Sequence, residues 1–257
     1  MKRAFHGDWM DALPSRFINE IPDDSLEKNE IDLPELQNTI EEKDIPEIAD
    51  GINVEQSIPK EKFTNYKKKD GLPSKVVTAV HADRNDASVI WTGSEKSGLT
   101  RFDSEGFFTY AVQDGLPSNK IRSITQNTNG ELVIACYDAG VATFDGKKFD
   151  LFNEGLDDKR VITLTEGPNG AIWAGTESAG IGILEAGKFT IIKDMDGLGH
   201  NEIFSLHYGD GKMWVGTFGG GVSCYSNETW FTLRESDGLV SNTIGAIMTS
   251  KNGNTFL

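Results

Sequence analysis

The chain has few of the residues that usually mark a chemical site. Its 257 residues include two cysteines and four histidines. Cys136 and Cys224 fall at unrelated positions of the chain and give neither a disulfide framework nor a metal-ligand spacing, so buried free thiols are expected. No Gly-x-x-x-x-Gly-Lys-Ser/Thr phosphate loop and no Gly-x-Ser-x-Gly nucleophile motif is present. The sequence therefore predicts no metal, no cofactor and no catalytic residues.

Long apolar runs and an excess of positive charge are also missing. No window of about 18 residues is continuously apolar, so no membrane-spanning helix is predicted. The basic residues that follow Met1 precede no apolar region, and no signal peptide is predicted. The formal net charge of −15 excludes the basic surface on which nucleic acids bind. We expect no nucleic-acid partner.

Residues 1–60 differ in composition from the rest of the chain. They hold 15 acidic and 6 basic residues, with prolines too closely spaced for long helices. Low hydrophobicity and excess acid predict a largely disordered lead-in. The stretch 13–22 resembles a short C-terminal segment of repair-type superfamily 1 DNA helicases. Since the phosphate loop is absent, no helicase activity is inferred from it.

A repeated turn divides residues 61–257 into units of similar length. Asp114-Gly115-Leu116 is followed by Pro-Ser-Asn, and close or looser copies recur along the chain. The leucines of these copies are spaced by 44, 40, 42 and 41 residues: Leu72, Leu116, Leu156, Leu198 and Leu239. A period of about 40–45 residues is typical of a propeller or a solenoid.

Each unit contains four short runs of β-branched and aromatic residues separated by Gly, Asn and Asp, and none shows helical periodicity. Four antiparallel strands make one propeller blade. The predicted fold class is therefore all-β, an incomplete or open β-propeller with blades at 75–110, 119–152, 159–192 and 201–233 and a partial blade at 242–257. Residues 62–66 look like the last strand of a preceding blade. Such half-blades expose strand edges, so self-association is expected.

The repeats resemble a known family. Segments 170–176 and 211–217 read Gly-Ala-Ile-Trp-Ala-Gly-Thr and Gly-Lys-Met-Trp-Val-Gly-Thr. With the Asp-Gly-Leu-Pro-Ser-Asn turn, they are similar to the two-component regulator propeller repeat across residues 61–257. The resemblance implies a bacterial ligand-binding sensor domain for signal transduction. It also implies a location in the periplasm or elsewhere outside the cytoplasmic membrane, and a chain that is part of a longer sensor.

Candidate ligand contacts fall in the loop between the second and third strands of each blade, which we call the 2–3 loop. These loops vary on a fixed scaffold and share one face of a propeller, as binding sites on such folds require. The predicted ligand is a small molecule, a glycan or a peptide, and its predicted contacts are Lys96, Tyr137, Asp138, Glu177 and Phe218.

Two other functions remain open at this point. One is a propeller-type lyase or hydrolase whose residues come from several blades, and the other is a scaffold for protein partners. His81 and His207 occupy the same repeat position late in a first strand. Because their blades are not neighbours, we do not expect a shared metal or acid–base site.

Overall fold

A computed structural model describes residues 2–5, 8–11, 64–250 and 252–257. Within them the chain forms four four-stranded antiparallel sheets and two two-stranded ones. Strands β1 (Lys2–Phe5) and β2 (Asp8–Asp11) pair as a hairpin. The rest of the predicted lead-in, including the stretch 13–22, lies outside the described residues, so the division at residue 60 stays a prediction.

Each four-stranded sheet is one blade, and its strands pair in sequence order. Blade 1 has β3 (Val77–Ala82), β4 (Ile90–Ser94), β5 (Leu99–Asp103) and β6 (Gly106–Tyr110). Blade 2 has β7 (Ile121–Gln126), β8 (Leu132–Cys136), β9 (Gly140–Phe144) and β10 (Phe149–Phe152). Blade 3 has β11 (Val161–Glu166), β12 (Ile172–Thr176), β13 (Ile181–Glu185) and β14 (Lys188–Ile192). Blade 4 has β15 (Ile203–Gly209), β16 (Lys212–Thr217), β17 (Val222–Ser226) and β18 (Thr229–Leu233).

A partial fifth blade follows, with β19 (Met248–Thr249) paired to β20 (Thr255–Phe256). The first strands β3, β7, β11, β15 and β19 pack side by side in that order along the inside of the arc. The predicted fold class is confirmed: the described chain is an all-β propeller of four full blades followed by one partial blade, and its ring is open.

The core lies between blades, where bulky and small residues alternate along the second strands. Trp91 of blade 1 belongs to one buried cluster with Ile121 and Ile134 of blade 2. Gly93 must be small, because a Cβ there would lie 2.5 Å from Cγ2 of Ile121. Since the same arrangement recurs at Gly175, the Trp-x-Gly pattern of the sequence is a packing requirement between successive sheets.

The recurrent turn has a local physical cause. A 3-10 helix, Val112–Asp114, ends at Gly115, whose φ of 93° suits glycine. The Asp114 carboxylate accepts the backbone N–H of Ala111 at 2.9 Å, and Leu116 is buried in the core. Equivalent 3-10 helices precede three of the four other copies, all except Gly155-Leu156: Lys68–Asp70, Asp194–Asp196 and Glu235–Asp237. A further one, Pro168–Gly170, lies in the first turn of blade 3.

The asparagine of the turn has a capping role. Asn119 Oδ1 accepts the N–H of Val112 at 3.1 Å, and Asn201 Oδ1 accepts the N–H of Asp194 at 2.8 Å. Asn242 bonds Glu235 in the same way. These side chains therefore close the connector between blades.

The side of blade 1 that faces away from blade 2 is not covered by another described blade. Val80 is 67% exposed, whereas Ile124, at the same position of blade 2, is 7% exposed. Tyr66 packs 4.8 Å from the Phe102 ring, much as Tyr110 packs 4.9 Å from the Phe144 ring. Tyr66 thus occupies the end position of a preceding fourth strand, although 64–67 are not in a strand. The expected self-association through this edge stays a prediction.

None of the helices in the described residues is long and apolar enough to span a membrane.

Candidate functional site

The 2–3 loops are fastened to the connectors of the following blades. The N–H of Gly98 donates to the carbonyl of Asn119 at 3.0 Å, and the N–H of Gly180 donates to that of Asn201 at 2.8 Å. Loops and connectors therefore lie on one side of the arc, which we call the loop face.

Two positions within each loop have different environments. In blades 2 and 3, the backbone N–H of the first loop residue donates to the carbonyl of the residue that precedes the first strand of the same blade. Tyr137 donates to Lys120 at 2.9 Å, and Glu177 donates to Arg160 at 3.0 Å. This bond holds the first position close to the inner strand, where Tyr137 and Glu177 are half-buried. The second position points outward, and Lys96 and Asp138 are exposed there.

Side chains from blades 1, 2 and 3 make a continuous line of contacts across the loop face, which we call the polar ladder. Its members are Glu95, Arg122, Tyr137, Glu177 and Arg160. Nη1 of Arg122 lies 3.4 Å from Oε2 of Glu95, and its guanidinium carbon lies 4.9 Å from the Tyr137 ring centroid. The Tyr137 hydroxyl donates to Oε2 of Glu177 at 2.9 Å, and Nη1 of Arg160 lies 2.7 Å from that oxygen.

Asp158 anchors one end of the polar ladder. Its carboxylate accepts from Nε and Nη2 of Arg160 at 3.0 and 2.9 Å, a bidentate pair, and from the Ser178 hydroxyl at 2.8 Å. Burial by itself would raise the pKa of Asp158, but the bonds from Arg160 and Ser178 outweigh it and lower that pKa. The carboxylate therefore stays charged and fixes the direction of Arg160.

One donor of the polar ladder is unsatisfied, and one hydroxyl is held in its protonated form. Nε of Arg122 is buried and has no hydrogen-bond acceptor among the described residues. Burial, followed by the neighbouring Glu177 carboxylate, raises the pKa of Tyr137, so the phenol stays protonated and donates. The arginine side chains are 36% and 46% exposed, which leaves their guanidinium groups within reach of a ligand.

The predicted contact residues are only partly brought together. Tyr137 and Glu177 touch directly. Asp138 instead bonds Ser118 and pairs with Lys120 at 3.1 Å. Phe218 packs 5.3 Å from Phe204 in blade 4 and is 40% exposed. Lys96 makes no ion pair or hydrogen bond within the described residues.

Sequence reasoning missed Glu95, Arg122, Arg160 and Asp158. Arg160 stands immediately before a first strand and Arg122 is the second residue of one. Both positions could have been found from the repeat alignment, because the equivalents of Arg122 are the uncharged Thr78, Ile162 and Phe204. Charged residues at variable positions of a fixed scaffold indicate a binding site.

The two histidines each bond the next blade. His81 Nε2 lies 3.0 Å from Oε1 of Gln126, and His207 Nε2 accepts the N–H of Thr249 at 3.0 Å. Each histidine therefore joins its own pair of adjacent blades, and the two do not converge on one site.

The cysteines and acidic groups supply no evident metal site. Cys136 and Cys224 are buried free thiols, and burial raises the pKa of each to about 12. In the part of the chain that the structure describes, no three His, Cys, Asp or Glu residues are grouped so as to hold a metal ion.

Comparisons with known proteins give a fold and no family assignment. No family model and no curated protein matches the chain. Among solved structures, the extracellular domain of the hybrid two-component system BT3049 from B. thetaiotaomicron superposes with a TM-score of 0.64 at 21% identity, over 75% of this chain and 28% of that one. The corresponding domain of BT4673 from the same organism gives 0.60 at 18% identity, over 70% of this chain and 28% of that one.

A third similar structure is an enzyme. Virginiamycin B lyase from Staphylococcus aureus superposes with a TM-score of 0.55 at 14% identity, over 71% of this chain and 63% of the lyase. At such identities the likeness shows a shared propeller fold, which hosts many unrelated functions. The chain spans 28% of the length of each of the two extracellular domains.

Proposed function

We propose that the chain is a ligand-binding module of the sensor propeller type and not a catalyst. The observation that carries this proposal is the polar ladder, in which side chains of three neighbouring blades meet on the loop face. A propeller arc that presents charged and aromatic groups on one face is suited to recognition. The fold shared with two extracellular domains of two-component systems supports the sensor part.

The polar ladder selects a polar ligand. Arg122 has a buried N–H without an acceptor, and an oxygen of a ligand that approached it would relieve the cost of that unpaired donor. Glu177 and Glu95 offer accepting oxygens on either side. The exposed Phe218 ring in the next blade provides an apolar face of the kind on which a sugar or an aromatic group packs. A small molecule, a glycan or a peptide with several oxygens fits this arrangement.

The titration of the site favours binding over acid–base catalysis. A general acid or base works best with a pKa near the working pH. Bonds from Arg160 keep the Asp158 pKa low, and the Tyr137 pKa is raised, so neither group exchanges a proton readily near neutral pH. The lyase or hydrolase function that the sequence left open has no comparable support from the residues of the polar ladder.

The location proposed for this module is outside the cytoplasmic membrane. Both similar sensor structures are extracellular domains, and the repeat resemblance implies the same compartment. Secretion of the full gene product fused to a reporter enzyme would test this part separately.

A binding screen with matched variants tests the proposed function. The full chain is screened against a glycan array, a peptide library and a metabolite set, and hits are measured by calorimetry. Arg122→Gln is expected to weaken a true hit at least about tenfold, the usual effect of losing one charge-assisted contact. Arg101→Gln is the control, because Arg101 also pairs with an acid, Asp103 at 2.6 Å, at 35% exposure, but lies away from the loop face. Equal weakening by both variants, or no hit in any class, contradicts the proposal.

A further inference from the structure

A cavity lies between blades 3 and 4, away from the loop face. Its volume is about 220 Å³. The first turn of blade 3 forms one wall, at the opposite end of β11 from the polar ladder. The lining includes Trp173 of β12, Glu185 at the end of β13, Tyr225 of β17 and Trp230 of β18. We call this cavity the aromatic pocket.

Three aromatic rings of the aromatic pocket stand at angles to one another. The Trp173 centroid lies 6.0 Å from that of Tyr225 and 6.2 Å from that of Trp230, and the Tyr225–Trp230 distance is 5.0 Å. The ring planes are inclined by 44°, 52° and 42°. All three rings line the same cavity, and the π electrons of aromatic rings attract a positive charge placed beside them.

Glu185 brings a free carboxylate to the aromatic pocket. The acids at the same repeat position in blades 1 and 2 are occupied. Asp103 pairs with Arg101 at 2.6 Å and accepts the N–H of Glu105, and Asp145 accepts the N–H groups of Lys147 and Lys148, both at 2.8 Å. The Glu185 carboxylate makes no ion pair or hydrogen bond to any described residue, so its charge is available to a ligand.

The indole N–H of Trp173 also lacks a partner. At the equivalent position of blade 1, Trp91 donates to the Asp83 carboxylate at 2.9 Å. In blade 3 the residue equivalent to Asp83 is Gly167, which has no side chain to accept. Trp173 is 4% exposed, and no residue among 64–250 and 252–257 accepts its N–H. Because Trp173 lines the aromatic pocket, this unpaired N–H is available to an oxygen of a ligand bound there.

We propose that the aromatic pocket binds a small organic cation with a methylated ammonium group and a nearby oxygen, of the choline type. The ammonium group lies against the ring faces of Trp173, Tyr225 and Trp230. Glu185 balances its charge, and the oxygen accepts the indole N–H of Trp173. This site is independent of the function proposed for the loop face.

The corresponding cleft between blades 1 and 2 is an internal contrast. Its volume is larger, about 540 Å³, and it also contains inclined rings, since Tyr110 stands at 58° to Phe144. The difference is in charge: Lys147 lines that cleft, and its one acid, Asp114, already accepts the N–H of Ala111. A lysine repels a cation, so the same probe is not expected to bind there.

Titration of the full chain with choline chloride tests the proposal. Proton–nitrogen NMR of the indole N–H groups is the readout, with sodium chloride to match ionic strength and 3,3-dimethylbutanol as the neutral isostere. We expect a saturable shift of the Trp173 indole signal with choline. The neutral isostere is expected to bind at least about tenfold more weakly, because it lacks the charge that the rings and Glu185 attract. Equal binding of the two probes, or no saturable shift, overturns the proposal.

Variants separate the aromatic pocket from nonspecific charge. Glu185→Gln and Trp230→Leu are each expected to weaken choline binding about fivefold or more. Glu105→Gln, an exposed acid in the equivalent turn of blade 1, should leave binding unchanged. If Trp230→Leu does not fold, Glu185→Gln decides alone, since the Glu185 side chain is exposed and forms no ion pair or hydrogen bond within the described residues. Unchanged binding in Glu185→Gln, or an equal loss in Glu105→Gln, contradicts the site.

Discussion

The two ends of the inner strands use polar residues in opposite ways. At the turn end, where the first strand leads into its first turn, Gln126 is fully buried and its amide is hydrogen-bonded. Oε1 accepts the N–H of Arg84 at 2.6 Å, and Nε2 donates to the carbonyl of Gly130 at 3.0 Å. Arg84 reaches on from blade 1 to Glu166 of blade 3 at 2.5 Å. At the loop end, the members of the polar ladder are half-exposed. The turn end therefore holds blades together, and the loop end remains able to exchange partners with a ligand.

This difference follows from burial. A satisfied polar network in a low-dielectric interior fixes one arrangement and is expensive to break. Ion pairs near the surface contribute little to stability, so evolution can vary them with small effects on folding. The comparison predicts large stability effects from turn-end substitutions and small ones from loop-end substitutions.

The largest effect is expected for Gln126→Ala. The change leaves a void and removes the partners of Arg84, Gly130 and His81, so the free energy of unfolding should fall by about 3 kcal/mol. Urea denaturation followed by tryptophan fluorescence measures it. The control is Asn129→Ala, an exposed side chain in the same turn, for which a change below about 0.5 kcal/mol is expected. A loss below about 1 kcal/mol for Gln126→Ala would remove the contrast between the ends.

A smaller loss is expected for Asp83→Ala, about 1–2 kcal/mol, because the Trp91 indole N–H loses its acceptor. The effect also has a defined pH dependence. Burial would raise the Asp83 pKa, but bonds from Trp91 and neighbouring groups lower it below 3.8. Its contribution is thus complete above that value and is lost as pH falls through the lowered pKa. Denaturation curves of wild type and variant should converge once the pH falls below the lowered pKa of Asp83. If the difference in free energy of unfolding stays constant down to that pH, the Asp83 carboxylate is not its source.

His207 should give a smaller, pH-dependent effect than Asp83→Ala. Burial lowers its pKa from 6.5, so the folded state prefers the neutral ring, whose Nε2 accepts from Thr249. Stability is complete above the unfolded value and falls as pH drops below about 6.5, because the unfolded chain then binds the proton more readily. Thermal melts of wild type and His207→Gln between pH 5 and 8 measure this. A variant that keeps the full wild-type slope would rule out His207 as its source.

The smallest stability effect is expected for Tyr137→Phe at the loop end. Only the bond to Glu177 is lost, and its oxygen keeps Arg160 as a partner at 2.7 Å. The free energy of unfolding should change by less than about 1 kcal/mol, as urea denaturation would show. A loss as large as that of Gln126→Ala would mean that the polar ladder is part of the framework.

The framework was predictable from sequence because it depends on local chemistry that repeats. The Asp-Gly-Leu turns follow from the positive φ at Gly115 and its equivalents, and the blade order follows from the even spacing of those turns. The contacts of the polar ladder were not predictable, because Arg122 meets Glu95 and Tyr137 meets Glu177 across blade boundaries. Which side chains meet there depends on the spacing and twist between sheets, and residues far apart in sequence set both.

Tyr137 and Glu177 were predictable from the variability of the 2–3 loops, because they lie in those loops. Lys96 and Asp138 were chosen by the same argument, but at the outward second position, away from the contacts of the polar ladder. Whether any of the five chosen residues binds a ligand stays a prediction.

The most direct test of the proposed binding face is a hydrogen–deuterium exchange footprint of the full chain with the best ligand from the screen. The account predicts slower exchange at 95–97, 120–122, 137–139 and 177–179, with no change in the turns at 127–130 and 209–211. Protection confined to those turns, or spread evenly over both ends of the blades, would contradict it.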